Sequence, residues 1–443
     1  MPLFRARLAV PLVTALLALG AGPLPGGPSP SPPPAPPSPV LSRLVTEGRA
    51  PAAAMLSASP AASRFRAAGP GIRRADRFRA GSVTKTFVAT IVLQLAAEGR
   101  LRLDDPVGRH LPGVVPGPAG RRVTLRALLT HTSGLPEYTI ADGALAPPGH
   151  TASPAGTAAS PGRTTARGAV RRALARPPGP LGRYAYANTN YVLLGLVIER
   201  VTGRPYAAEA KRRIIRPLRL RGTSFPGART ALPSPHGRAY DATGREVTAL
   251  DPRTADAAGE LISTLDDLTR FYAALLSGRL LPAARLRELL DTRTASGIYG
   301  MGIYPVRLSC GTTVWGHNGR ITGSYVRSAT TGDGRHTITF RVNTDGTAGR
   351  SLRVLEPAML EAEFCRDDAS RGGPRGGARP GPEHRGPSAP VARSGAAGPA
   401  REKGPATVLA YSGTMSGAPS RAASAVRSSG CRCDSRSAST RFS

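Results

Sequence analysis

Between Phe78 and Gly99 the apolar residues fall at helical spacing: Phe87, Val88, Ile91, Val92 and Leu95 recur three and four positions apart. The run is apolar almost all round, which predicts a central helix, opening at Ser82 and stopped by Gly99. Thr124 to Thr130 predicts a short helix, and residues 140–168, rich in Ala, Gly, Pro, Thr and Ser, read as a long loop. Tyr191 to Val201 predicts an apolar helix ended by Gly203. Ser263-Thr264-Leu265-Asp266-Asp267 reads as a capping box starting a helix over 265–276. The period then changes to two. Ile338, Phe340 and Val342 alternate with polar residues in a strand, Asp333-Gly334 marks the hairpin turn before it, and Ser324-Tyr325-Val326 belongs to the preceding strand. Trp315 to Arg320 reads as an edge strand whose glycines permit close approach to a ligand. Residues 350–365 return to a helical pattern. Helices in the middle and antiparallel strands late predict an α/β fold, an antiparallel β-sheet flanked by helices with an inserted all-helical subdomain.

The flanks have a different texture. Residues 1–22 hold Arg5 and Arg7, an apolar stretch from Leu8 to Leu19 and then small residues, the layout of a signal peptide. That stretch is too short to span a bilayer comfortably, and no later segment reaches about eighteen consecutive apolar residues. Residues 23–40 read as a Pro-rich linker, 41–365 as one domain, and 366–443 as a disordered basic tail with too little apolar surface to order itself. The expectation is a secreted, extracellular protein with no transmembrane segment once the leader is removed.

Formal net charge is +32, of which the tail supplies +8 and the leader +2, leaving +22 spread over the middle. Aromatics are few and not interleaved with arginine, so nucleic acid is not an expected partner. Two readings of the charge stay open: an arginine-rich coding bias, and attraction to anionic cell-envelope polymers that would hold the protein at the wall. The seven histidines form no helical pair and no cluster with carboxylates, so neither a metal site nor a cofactor is expected. Cys310 and Cys365 read as a disulfide in a secreted chain, while Cys431 and Cys433 stand too close for an easy bridge.

The chemistry shows first in a rare residue. The chain has three lysines among its 60 basic residues, and one of them ends Ser82-Val83-Thr84-Lys85 at the head of the central helix. Arginine keeps its proton in a protein, whereas a desolvated lysine can lose it, so a lysine one helical turn from a serine points to a base beside a nucleophile. A serine heading a helix is otherwise an N-cap. His131, in His131-Thr132-Ser133-Gly134-Leu135, has two readings, a base or a turn histidine bonded to backbone, and the second is the commoner.

Ser82-Val83-Thr84-Lys85, Tyr186-Ala187-Asn188 and His317-Asn318-Gly319 occur in that order. Together they resemble the motifs of the serine β-lactamase and D-alanyl-D-alanine peptidase superfamily, specifically its class C-like branch of secreted serine carboxypeptidases and esterases. The likeness covers about 80–365. The resemblance implies Ser82 as nucleophile, Lys85 and Tyr186 as proton carriers, and an oxyanion hole at the N–H groups of Ser82 and Arg320. Reference pKa values of about 10.4 and 10 must then fall, that of Lys85 by burial and that of Tyr186 by nearby cations. Asn188 would hold the substrate's amide. His317 would complete a cationic wall titrating near about 6.5. Asn318, Gly319 and Arg320 would flank the substrate, with the Arg320 side chain either gripping a terminal carboxylate or pointing to solvent.

The family's strand pair ahead of the nucleophile is not legible in 41–78, which are short and degenerate. The implied activity is D-alanyl-D-alanine carboxypeptidase-like cleavage of cell-wall peptides. A β-lactamase or esterase of the same fold is the nearest alternative, and a catalytically decayed penicillin- or wall-binding protein the more distant one.

Overall fold

The structure, a computed structural model, describes residues 39–138, 165–345 and 349–365. The expected signal peptide, most of the linker, most of the 140–168 loop and the tail with Cys431 and Cys433 lie outside the described residues.

Helix α1 (Pro39–Thr46) is followed by β1 (Ala53–Ala58), β2 (Ser63–Ala68) and the short β3 (Phe78–Arg79). A 3₁₀ turn, Gly81–Val83, then runs into α2 (Thr84–Ala97). Helices α3 (Leu125–Leu129), α4 (Ala166–Ala173) and α5 (Asn188–Thr202) belong to the inserted helical part. The chain returns through β4 (Ile262–Ser263), paired with β3, into α6 (Leu265–Leu276). It ends in β5 (Tyr304–Arg307), β6 (Thr313–Ile321), β7 (Ser324–Thr331), β8 (Thr337–Val342) and α7 (Gly349–Phe364).

The main sheet is antiparallel in the order β2-β1-β8-β7-β6-β5. The N-terminal hairpin thus docks on the last strand, Leu56 opposite Thr339. The strand pair that the sequence of 41–78 conceals is present. Small residues hide it: Ala53, Ala54, Ser57 and Ala58 give β1 little alternation, because every residue from Ala53 to Ser57 is buried.

Both faces of the sheet are packed. Ile338, Phe340 and Val342 meet Leu41 and Leu44 of α1 and Leu352 and Leu355 of α7. The polar residues between them are buried as well, since α6 covers the other face and Thr269 Oγ1 donates to Thr339 Oγ1 at 3.0 Å. Phe87 of α2 stacks on Phe271 of α6 with centroids 3.8 Å apart, and neither ring is exposed. Burying each contributes about 1.5–3 kcal/mol.

Several expectations shift in detail. Residues 166–168, assigned to the loop, already form the start of α4, capped by the Thr165 hydroxyl accepting from Gly168 N–H. Thr264 caps α6 by accepting from Asp267 N–H, but the carboxylate of Asp267 does not return the bond. It accepts instead from Gly222 N–H and the Thr223 hydroxyl, so only half the box forms. Strand β6 is not an edge strand along its first half, where Thr313 to Gly316 pair with β5. Beyond Gly316 the β5 pairing stops, and that freed edge meets the turn carrying Ser82. Nor are the arginines uniformly a surface feature. Arg327 is fully buried, its guanidinium 4.4 Å over the Tyr304 ring and its Nε 3.1 Å from Glu356 Oε1 on α7.

Candidate active site

Ser82 sits in the 3₁₀ turn rather than in the helix proper, and no side-chain capping bond is made there. The N-cap reading therefore drops away. From Phe78 to Leu93 every residue is buried except Ser82. The turn is held from behind: the Thr84 hydroxyl donates to Gly81 O at 2.7 Å and accepts from Leu261 N–H at 3.0 Å. Ala80 N–H donates to Leu261 O at 2.7 Å.

Two glycines let the freed edge of β6 press against this turn. Gly81 has φ +51°, and a Cβ there would stand 2.9 Å from Arg320 N. A Cβ on Gly319 would collide with Ala80 O and stand 3.1 Å from Ser82 N. The backbone of Gly319-Arg320 thereby lies beside Ser82 with no room for a side chain between.

Lys85 is wholly buried, one turn into α2. Its Nζ lies 3.0 Å from Ser82 Oγ, 2.7 Å from Asn188 Oδ1 and 2.7 Å from Ala258 O. Burial lowers its pKa to about 7, with Glu137 pulling upward. The two carbonyl oxygens can only accept. They take two N–H bonds, and the remaining direction on nitrogen, a lone pair once the amine is neutral, faces the Ser82 hydroxyl.

Tyr186 precedes α5, its ring 5.0 Å from Lys85 Nζ. The expected fall in its pKa is not found. Burial raises it well above the usual phenol range, and the hydrogen bond to Ser82 opposes this only in part. Tyr186 is thus held as a neutral phenol near neutral pH, whereas Lys85 is lowered into that range. His131 is the turn histidine, not a base: fully buried at φ +58°, its Nδ1 accepts from Ala187 N–H at 3.2 Å and Asn190 Nδ2 at 3.1 Å. Burial and Lys85 hold its pKa well below the ordinary value. Its ring lies 4.2 Å from that of Tyr186 and fixes the phenol's place.

His317 does not form a cationic wall. It is buried, and desolvation lowers its pKa to about 3. Its Nδ1 donates to Asn318 O, while Nε2 accepts from the Tyr299 hydroxyl at 2.8 Å. Asn318 and Arg320 carry their side chains toward Tyr325, Asn318 Nδ2 donating to its hydroxyl at 3.3 Å and the Arg320 guanidinium 5.8 Å from its ring. Arg320 brings its backbone to Ser82 and leaves its charge exposed. Cys310 and Cys365 face each other with Cα atoms 5.7 Å apart, joining the β5–β6 connection to the end of α7.

Sequence reasoning missed Glu137, which accepts from Asn188 N–H and reaches Asn188 Nδ2 at 3.4 Å. A signal existed, because Glu137 is one of two acids between Asp105 and Glu199. It also missed the tyrosine ring set around His131, where Tyr184, Tyr191 and Tyr299 join Tyr186. Nothing in a linear pattern marks residues so far apart. Among the described residues no group of His, Cys, Asp or Glu could hold a metal ion.

A family model described as Beta-lactamase matches residues 40–364. The chain belongs to the Beta-lactamase family. Its fold is that of the β-lactamases and penicillin-binding proteins. A curated relative of this family member is the putative penicillin-binding protein PbpX of Bacillus subtilis, 30% identical over 230 residues, 51% of this chain and 53% of that protein. Protein flp of Staphylococcus aureus is 30% identical over 178 residues, 40% of this chain and 32% of its own length. The chain thus spans about half of the first and a third of the second.

Among solved structures, a D-stereospecific amidohydrolase from Streptomyces sp. is 40% identical with a TM-score of 0.65, covering 74% of this chain and 97% of its own. The D-amino acid amidase of Ochrobactrum anthropi SV3 is 25% identical with a TM-score of 0.61, covering 73% and 98%.

Proposed function

We propose that the protein hydrolyses small amides of amino acids bearing a free α-amino group, through an acyl-enzyme on Ser82. Neutral Lys85 takes the Ser82 proton as Oγ bonds to the carbonyl carbon, and the backbone N–H groups of Ser82 and Arg320 receive the oxyanion. As the C–N bond breaks, the leaving amine collects a proton passed from Lys85 through the Tyr186 phenol. Water then attacks the acyl-enzyme by the same route, releasing the acid and restoring Ser82.

The observation that carries the substrate class is the carboxylate of Glu137, bonded to Asn188 beside Lys85 and half-buried at the site. A carboxylate there favours an ammonium on the substrate. A carboxypeptidase would need a cation for the substrate's terminal carboxylate, yet His317 is neutral and the Arg320 guanidinium leans over Tyr325. The Streptomyces neighbour, described as a D-stereospecific amidohydrolase, supports the amide reading and a D-configured substrate.

Turnover of D- and L-amino acid amides, their N-acetyl derivatives and an acyl-D-alanyl-D-alanine peptide tests it. Free-amine D-amides should be preferred over N-acetyl ones by tenfold or more, and Glu137→Gln should erase that preference. Preference for the acyl-D-alanyl-D-alanine peptide, unchanged in Glu137→Gln, would instead establish D-alanyl-D-alanine carboxypeptidase action, the second reading, for which the likeness to PbpX speaks. Export and attachment to anionic wall polymers belong to the same proposal. Finding the protein in the cytoplasmic fraction of its native cell would refute them.

A further inference from the structure

Glu260 is a buried carboxylate that the chemistry proposed for Ser82 does not use. It is 6% exposed, and burial raises its pKa to about 7. Tyr206, 4% exposed in the short helix Tyr206–Ala210, donates its hydroxyl to Glu260 Oε1. Nearby Asp256 disfavours the charged form further. Arg167 and Arg79 act on Glu260 only through space, and Arg167 bonds Glu199 at 2.7 Å and Asp256 at 3.2 Å instead. An apolar pair of the same shape would fill this space at no loss of stability, so packing does not explain the hydroxyl–carboxyl bond.

Its place along the chain does. Glu260 stands between two residues that hold the site from behind. Ala258 O accepts from Lys85 Nζ at 2.7 Å. Leu261 N–H donates to Thr84 Oγ1 at 3.0 Å, and Leu261 O accepts from Ala80 N–H at 2.7 Å. Glu260 N–H donates to Asp256 O at 3.1 Å and Ala258 N–H to Ala255 O at 3.0 Å, which closes residues 255–260 into one compact turn. Helix α5 packs on both ends of the bond: a Cβ on Gly195 would stand 2.6 Å from Ala257 Cβ and 3.3 Å from Tyr206 Cδ1. The same helix opens with Asn188, the other carbonyl acceptor of Lys85. Both acceptors therefore belong to one packed unit, and Tyr206 to Glu260 is a polar bond across it.

We infer that Tyr206 and Glu260 are positioning residues for Lys85, their bond fixing the turn that aims Ala258 O at Nζ. The inference rests on the acyl-enzyme role given to Lys85. A carbonyl acceptor favours the ammonium over the amine. A turn released from Tyr206 holds Ala258 O less firmly, which lowers the pKa of Lys85 and leaves its lone pair less well aimed at Ser82. Both side chains are buried, so the loss should fall on the chemical step and not on substrate binding.

The chain has three lysines, which makes the readout direct. In protein carrying ¹³C at lysine Cε, the Lys85 resonance should titrate with a midpoint of about 7. In Tyr206→Phe and in Glu260→Ala that midpoint should fall by about half a pH unit or more. The plateau rate of acylation by an activated ester should fall about tenfold, with KM unchanged. Glu260→Gln, whose carbonyl still accepts from Tyr206, should recover most of the rate lost in Glu260→Ala. Tyr206→Phe removes a single oxygen and carries the measurement even if Glu260→Ala fails to fold. An unmoved Lys85 midpoint in Tyr206→Phe, or a loss expressed in KM alone, would overturn the inference. Failure of the unmodified protein to acylate would count against the Ser82 reading instead, and the lysine titration would still decide this one.

Discussion

Lys85 Nζ and Asn188 Oδ1 are joined by a 2.7 Å hydrogen bond, and in the acyl-enzyme mechanism proposed for Ser82 this bond orients the base. With Ala258 O it claims two N–H bonds of the lysine and leaves the third direction to Ser82. Under that proposal the same contact makes Asn188 a positioning residue for Lys85.

Lys85→Arg should lose two or more powers of ten in acylation, because arginine keeps the charge but cannot accept the serine proton. Single-turnover acylation by an activated ester measures it. Retention within threefold would show that Lys85 supplies charge alone.

The rate of acylation should follow the titration of Lys85. Its folded pKa is lowered to about 7, so the reactive neutral amine is lost as pH falls through 7, and kcat/KM should drop about tenfold per unit below that and level off above it. His317, lowered to about 3, stays neutral throughout and should not shape this limb. A limb near 6.5 that disappears in His317→Gln would contradict the assignment.

Gly81→Ala should lower kcat by about 10²–10³, since the added Cβ meets Arg320 N at 2.9 Å in a left-handed backbone and pushes β6 off the Ser82 turn. Far-ultraviolet circular dichroism should remain native. Full activity would place the oxyanion donors elsewhere.

The pairing of Cys310 with Cys365 closes a loop of 55 residues. Removing it with Cys310→Ser should cost about 2–4 kcal/mol in denaturant unfolding, and non-reducing peptide mapping should recover the two cysteines in one linked fragment. Two free thiols in protein made under oxidising conditions would refute the bond.

The sequence by itself determined those parts of this protein that depend on neighbours along the chain. The α2 run, the Thr264 cap, the Gly203 stop and the β7–β8 hairpin are local, since propensity and turn chemistry act over a few residues. So is the Ser82–Lys85 pair, one helical turn apart and exposed by the scarcity of lysine. Tertiary structure alone decided the electrostatics. Whether Tyr186 or Lys85 loses its proton, and whether His317 carries charge, depends on how much water the fold removes from each. It also decided that Glu137 meets Asn188 and that Tyr206 meets Glu260. Those residues stand tens of positions apart, and only the closed sheet and the inserted helices bring them within reach.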